Sequence, residues 1–588
     1  GAQPGARHVF TALVGELAPS VAFTVTSVDT ATPSPTQTAT ASTTISATAT
    51  LTSTPIAVAT GTATATLTAT AAKTVSSATA TATATPSASK PPVVPVVSGP
   101  LPLYRLSRTS PPLSFTLHLL DRVAPRRSVV TINDQNGRHI VAAFDNAHLA
   151  SYVDLVTGDA ALFPALPSSG KVPVGTGKLA SVAQSLLLGS GLIPQDATRA
   201  RLNQPIVGIA SSSRQGTRGV SGGIGAMAFF PVTRLVGTYS VFGPGSTAVL
   251  ALDGTGSLRG FLRRWRTATN EGSIMPTRSA GEVLQSIRTQ LAKVGAGLPV
   301  TLDGIALTYY DGNGAFLEPA YRFTATVHAH GSVRDDHIIG YEAVSRQEPE
   351  PLPTIQSSGT TARQAQHAPL ATITGKNGVG RYVVSGPMPT WSMESAAFQQ
   401  SISSFWPGVA GQLFGHPVVS PQRLHAQVLA LDAPGSPGQF TTDSYCCGVV
   451  KIAGLSTLSA GLGAGSSLAF LIAHTPALIP SPADAASASG TWLRVFGGLH
   501  AVVGYSTDIY SNDGVLAPFG ADVAMGAPVV SAWLTELAAD TAYQDSASSA
   551  KQPLGRASTL SACGHENDSM YDATSLRPPT CLLTWGAL

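Results

Sequence analysis

Sixty consecutive positions, residues 30–89, contain no aromatic side chain and a single charge, Lys73. A segment this poor in large apolar groups cannot repay its conformational entropy by burying a core, so it is expected to be an extended or disordered connector. Within "GTATATLTAT" Thr and Ala alternate, which in an extended chain places every Thr on one side, and β-branched Thr favours that state. Dense Thr and Ser with interspersed Pro also reads as an O-glycosylated stalk. Thr62, Thr64, Thr66, Thr68, Thr70, Thr79, Thr81 and Thr83 are the expected sugar-bearing positions.

Ahead of the stalk (29–97) lies a short segment, 1–28, whose second half, "VAFTVTSV", alternates like a strand. One strand cannot bury its own face. It must fold back onto the body of the chain or pair with another copy, and head-to-tail donation builds a filament unless rotation closes a ring. The sequence begins at Gly1 and has no basic stretch leading into a clean apolar run. It is read as the mature end left by signal-peptide removal, placing the protein outside the cell or on its surface.

Charged residues make up 11% of the 588 positions, against about 25% in ordinary domains. The net charge of +3 includes no run able to grip nucleic acid, and weak charge leaves self-association unopposed. The longest uncharged stretch, 452–483, is broken by Ser, Gly, Pro and His474, so no transmembrane span is expected.

The rest reads as multidomain α+β, rich in strands. "SVVTINDQNGRHIVAAFD" predicts a hairpin turning at Asn136-Gly137, and "ASYVDLVTGDAALFP" predicts a second. "KLASVAQSLLLGSG" predicts a helix with Leu179, Val182 and Leu186 on one face. A second cycle sets a helix carrying Val283, Ile287 and Leu291 before a hairpin turning at residues 311–314. Two helix-plus-antiparallel-sheet modules are expected, within 98–270 and at 271–345. A Pro- and Ser-rich linker, 346–367, then leads to a final α/β domain, 368–588.

The two modules resemble the PepSY-like units of secreted bacterial proteins, through "WRT" at 265–267 and "LTYYDGNGAFLEPAYRF" at 307–323. Through "WLRVFGGLHAVVGYSTDIY" and "GAPVVSAWLTELAAD", the final domain resembles an uncharacterised bacterial secreted family with a degenerate caspase- and gingipain-like fold. The stalk is similar in composition to those of Chloroflexi-type surface proteins. The resemblance implies a His-Gly at the end of one core strand and an Ala-Cys at the end of the next, the imidazole activating or orienting and backbone amides holding an oxyanion. In "SYCCGVV" the His position falls on Val449, and in "LAFLIAHTPAL" the nucleophile position falls on Thr475. Neither replacement supplies the lost group. A displaced pair, Cys447 with His474, is the one arrangement that would restore a thiol beside an imidazole.

Four cysteines allow three pairings. Cys563 and Cys581 enclose a polar loop that a disulfide would close well, whereas adjacent Cys446 and Cys447 cannot readily reach disulfide geometry. His328 and His330 fall on one side of a strand with His337 nearby, donors that suit a transition metal, although the routine polarity of strand ends is the favoured account. His500 follows apolar "FGGL" and reads as a core imidazole; "DIYSNDG" reads as a turn, and "RGFLRRWRT" as a strand with a solvated basic face. No G-x-S-x-G elbow or phosphate-cradling loop is present, and no cofactor is expected. The sequence thus points to a non-enzymatic structural subunit of a cell surface or filament. A cysteine-peptidase-like hydrolase and a wall-polysaccharide-binding module are the alternatives.

Overall fold

Short apolar alternations joined by tight turns build most of the molecule, and they link into one large mixed sheet. The computed structural model describes residues 92–97, 99–107, 128–133, 139–145, 148–167, 176–189, 191–214, 221–295, 297–328, 335–355, 382–385, 394, 397–398, 400–402, 411–414, 428–432, 435–441, 452–454, 468–541, 543, 554–572 and 576–587. The chain divides into two units, and all of these residues belong to one of them; the other, Phe23–Lys90, lies outside them. So do the strand expected at 21–28, the glycosylation positions, Cys446, Cys447, Val449 and His330.

At one edge Ser128–Asn133 pairs with His139–Asp145, Ile132 opposite Ile140, on either side of the Asn136-Gly137 dipeptide. His148–Asp154, Ala160–Leu162, Leu258–Trp265, Ser246–Asp253, Ser221–Val236 and Ile206–Arg214 follow, each antiparallel to the last. A branch leaves through Tyr239–Phe242 to Val300–Tyr310, Phe316–Val327 and Asp336–Ala343. The helix Ala280–Gly295 covers that branch, burying Val283, Ile287 and Leu291 against Tyr321, Phe323 and Ala325. Its start is a reciprocal cap: Ser279 N–H donates to Glu282, and the Ser279 Oγ accepts from Glu282 N–H. The helix Thr176–Gly189 buries Leu179, Ala183 and Leu187, a face one position on from that expected, and leaves Val182 37% exposed. With Leu186, Leu187 and Leu188 in a row, the apolar pattern has no single stripe.

Five strands lie parallel in the spatial order Gly411–Phe414, Tyr382–Ser385, Val428–Asp432, Phe470–His474, Ala501–Tyr505. The last two are buried along their whole length, as parallel strands covered on both faces must be. Helices Leu516–Ala524 and Val529–Ala539 pack on the face carrying Ile472, Val503 and Tyr505, where Trp533 Nε1 donates to the Gly504 carbonyl at 2.9 Å. The helix Ala485–Val495 packs on the other, over Leu471 and Val502. Antiparallel strands Ala557–Ala562 and Cys581–Ala587 continue the sheet, and the latter pairs along Ile206–Arg214.

Strand pairing therefore crosses the boundaries drawn at 270 and 367 from the sequence. The end of the expected stalk is also docked, with Val94 buried and Tyr321 Oη donating to the Pro95 carbonyl. So is the start of the expected linker, where Ile355 is buried and Glu350 accepts the amides of Ala315 and Phe316. The basic strand does not have the solvated face expected of it. Arg263 and Arg264 are buried, Arg263 on the carbonyls of Leu192 and Gly158 and Arg264 bidentate on Glu536. Both faces of that strand are covered, so its guanidinium groups need acceptors inside. Among the described residues no helix is long and apolar enough to cross a membrane.

Candidate functional site

The strands Val428–Asp432 and Phe470–His474 share a pattern: apolar residues that satisfy two covered faces, then one ionisable group at the carboxyl end. Parallel register sets Asp432 directly beside His474. His474 is fully buried and has a carboxylate on each ring nitrogen, Nδ1 to Asp432 at 3.0 Å and Nε2 to Asp513 at 3.2 Å. Tyr505 Oη donates to the second oxygen of Asp513 at 2.9 Å, and the Val515 amide donates to the first. Glu394, also buried, accepts the amides of Gly514 and Leu516. The turn that presents Asp513 ends at Gly514, whose φ of 81° lies in the left-handed region that glycine enters freely. Asn512 fixes the same turn to the strand Asp336–Ala343, accepting from Ile339 N–H and donating to the Ile339 carbonyl.

Burial by itself would strip the proton from His474. The Asp513 charge and the hydrogen bonds to Asp432 and Asp513 outweigh it, holding the imidazolium well above the usual histidine range. Burial, reinforced by the Asp513 charge, pushes Glu394 up to about 8 and Tyr505 well above its ordinary value. The folded cluster thus keeps protons that the unfolded chain releases. A group whose folded pKa is raised stabilises most below its unfolded value, and that stability drains away as pH climbs toward the folded one. For Glu394 the window runs from 4.5 to about 8, and His474 adds loss above 6.5. Urea unfolding is expected to show stability falling between pH 5 and pH 8.5; a flat or rising profile would contradict the charge states assigned here.

As chemistry, this arrangement is closed. Neither His474 nitrogen is available to take a proton from a substrate, and the Tyr505 ring meets the imidazole edge to face, backed in turn by Trp533 and Phe519. Thr475, at the position the peptidase pattern gives its nucleophile, is fully buried, and its Oγ1 has no hydrogen-bond partner among the described residues. Cys447, the other half of the displaced pair, lies outside them. Asp432 and Asp513 were not read from the sequence as partners of His474. The available signal was the matching "LALD" and "LIAH" strand ends.

Cys563 and Cys581 stand at disulfide distance, Cα atoms 5.5 Å apart, as their loop suggested. Of the proposed metal set, His328 joins Asp335 and Thr301, while His337 meets Thr326. Among the described residues neither imidazole belongs to a cluster of three potential metal ligands. His500 is buried against Phe470, as a core imidazole should be, but its Nδ1 is also 2.6 Å from Asp568.

No protein-family model matches the chain, and no curated protein matches it. Among solved structures, one described as an uncharacterized protein from Eubacterium rectale ATCC 33656 is similar over 45% of this chain and 89% of its own. At 9% identity and a TM-score of 0.28, that likeness bears on neither fold nor function.

Proposed function

We propose that the protein is a non-enzymatic extracellular structural subunit, of a cell surface or filament, built on a degenerate caspase-like α/β region and PepSY-like modules. A glycosylated stalk carries an N-terminal strand that pairs with a second copy. The observation that carries this reading is the buried Asp432–His474–Asp513 cluster. Asp432 and His474 end two neighbouring parallel strands, and the cluster leaves His474, one residue before the nucleophile position of the resembled pattern, with neither ring nitrogen free. A Cys563–Cys581 bridge fits an oxidising compartment.

The test is assembly. Full-length protein should form polymers visible by negative-stain electron microscopy, and removing residues 1–28 should leave particles of one copy. Filaments that persist without that segment, or a full-length chain that stays monomeric at high concentration, would sink the proposal.

A further inference from the structure

At the opposite end of the parallel strands from His474, the structure gathers a second set of ionisable groups: His500, His565 and Asp568. His500 directly precedes the strand Ala501–Tyr505, and the other two lie on the loop between Cys563 and Cys581. Both imidazole Nδ1 atoms converge on one oxygen, Asp568 Oδ2, at 2.6 Å from His500 and 2.7 Å from His565. One ligand atom from each of the three residues lies within 4.8 Å of the others.

The backbone holding these groups is fixed at each point. His500 N–H donates to the Ala469 carbonyl at 2.7 Å, and its own carbonyl accepts from Ala562. His565 N–H donates to Ala562, and the Asp568 carbonyl accepts from Val529. The loop is closed by the cysteine pair and tied to the body by Asn567, which exchanges two hydrogen bonds with the Leu166 backbone. Exposure is graded. His500 has a side chain 2% accessible, Asp568 17% and His565 35%, so the cluster is walled on the His500 side and open on the His565 side.

We infer that His500, His565 and Asp568 form a binding site for a late first-row divalent cation of the Zn²⁺ class. Two imidazoles and a carboxylate are the donors such ions prefer, and the open side leaves a fourth, tetrahedral position for water. At ordinary bond lengths of about 2.0–2.1 Å, tetrahedral ligand atoms stand about 3.3 Å apart. Modest side-chain rotation therefore lengthens the two hydrogen bonds enough to admit the ion. Each imidazole binds in its neutral form through Nδ1, with the ring proton on Nε2. The inference stands apart from the assembly reading, since the site lies in the body rather than the N-terminal segment.

The test titrates Zn²⁺ alone into chelator-treated, disulfide-intact full-length protein by calorimetry. One equivalent should bind. Asp568→Asn, which keeps shape, and His565→Ala, at the exposed position, should each weaken binding at least about tenfold, whereas His328→Ala should change nothing. Co²⁺ in place of Zn²⁺ should give the visible absorption of a tetrahedral nitrogen-ligated ion in the parent and lose it in Asp568→Asn. The inference is overturned if the parent binds no ion saturably, if Asp568→Asn and His565→Ala bind as the parent does, or if His328→Ala is the variant that loses the site.

Discussion

Replacing His474 with Ala is expected to lower the free energy of unfolding by about 3–5 kcal/mol, because two buried carboxylates lose the cation between them. The lost ring adds a cavity beneath Tyr505, whose ring centroid sits 5.5 Å from the imidazole. Asp432→Asn and Asp513→Asn introduced together with His474→Ala should recover part of the loss, since amides carry no charge to be left uncompensated. The sign of the effect separates the two readings of this residue. Catalytic groups are commonly held at a cost to stability, and their removal is often neutral or stabilising. An unfolding midpoint in urea that is unchanged or raised by His474→Ala would therefore make the cluster a poised site.

The second large effect is expected at Arg264. Its guanidinium bridges the two unrelated-looking ends of the chain, gripping Glu536 on the helix Val529–Ala539 and lying 3.7 Å from Asp522. Burial, reinforced by the Glu536 charge, lifts the Asp522 carboxyl well above the carboxylate range. Arg264→Met keeps much of the buried stem and removes the charge. Unfolding should become easier by about 3–5 kcal/mol at neutral pH, because Glu536 remains buried and unpaired. Glu536→Gln combined with Arg264→Met should relieve most of the penalty, since a buried amide needs no cation. A double variant as destabilised as Arg264→Met alone would mean that packing, not charge, is what Arg264 supplies.

What the sequence disclosed was what is written locally. The hairpins at 128–145 and 300–327, the helix buried through Val283, Ile287 and Leu291, and the Cys563–Cys581 pairing each follow from spacing within a few tens of residues. The buried face of Thr176–Gly189 was displaced because a small residue, Ala183, marks it, and alanine leaves little trace in an apolar count. Arg263 and Arg264 read as surface, since a charge far from any acid in sequence gives no hint of Glu536. The pairing of Cys581–Ala587 with Ile206–Arg214 joins segments with no common local pattern. Asp432 was overlooked for a related reason: it acquires meaning only once parallel register sets it beside His474.

The clasp between Asn567 and Leu166 spans 401 positions. A chain made from its amino end exposes the strand Ile206–Arg214 long before its partner Cys581–Ala587 exists, leaving an open hydrogen-bonding edge throughout that interval. Birth of the molecule is thus its hazardous period, when a neighbouring nascent copy offers the same strands and mispairing competes with maturation.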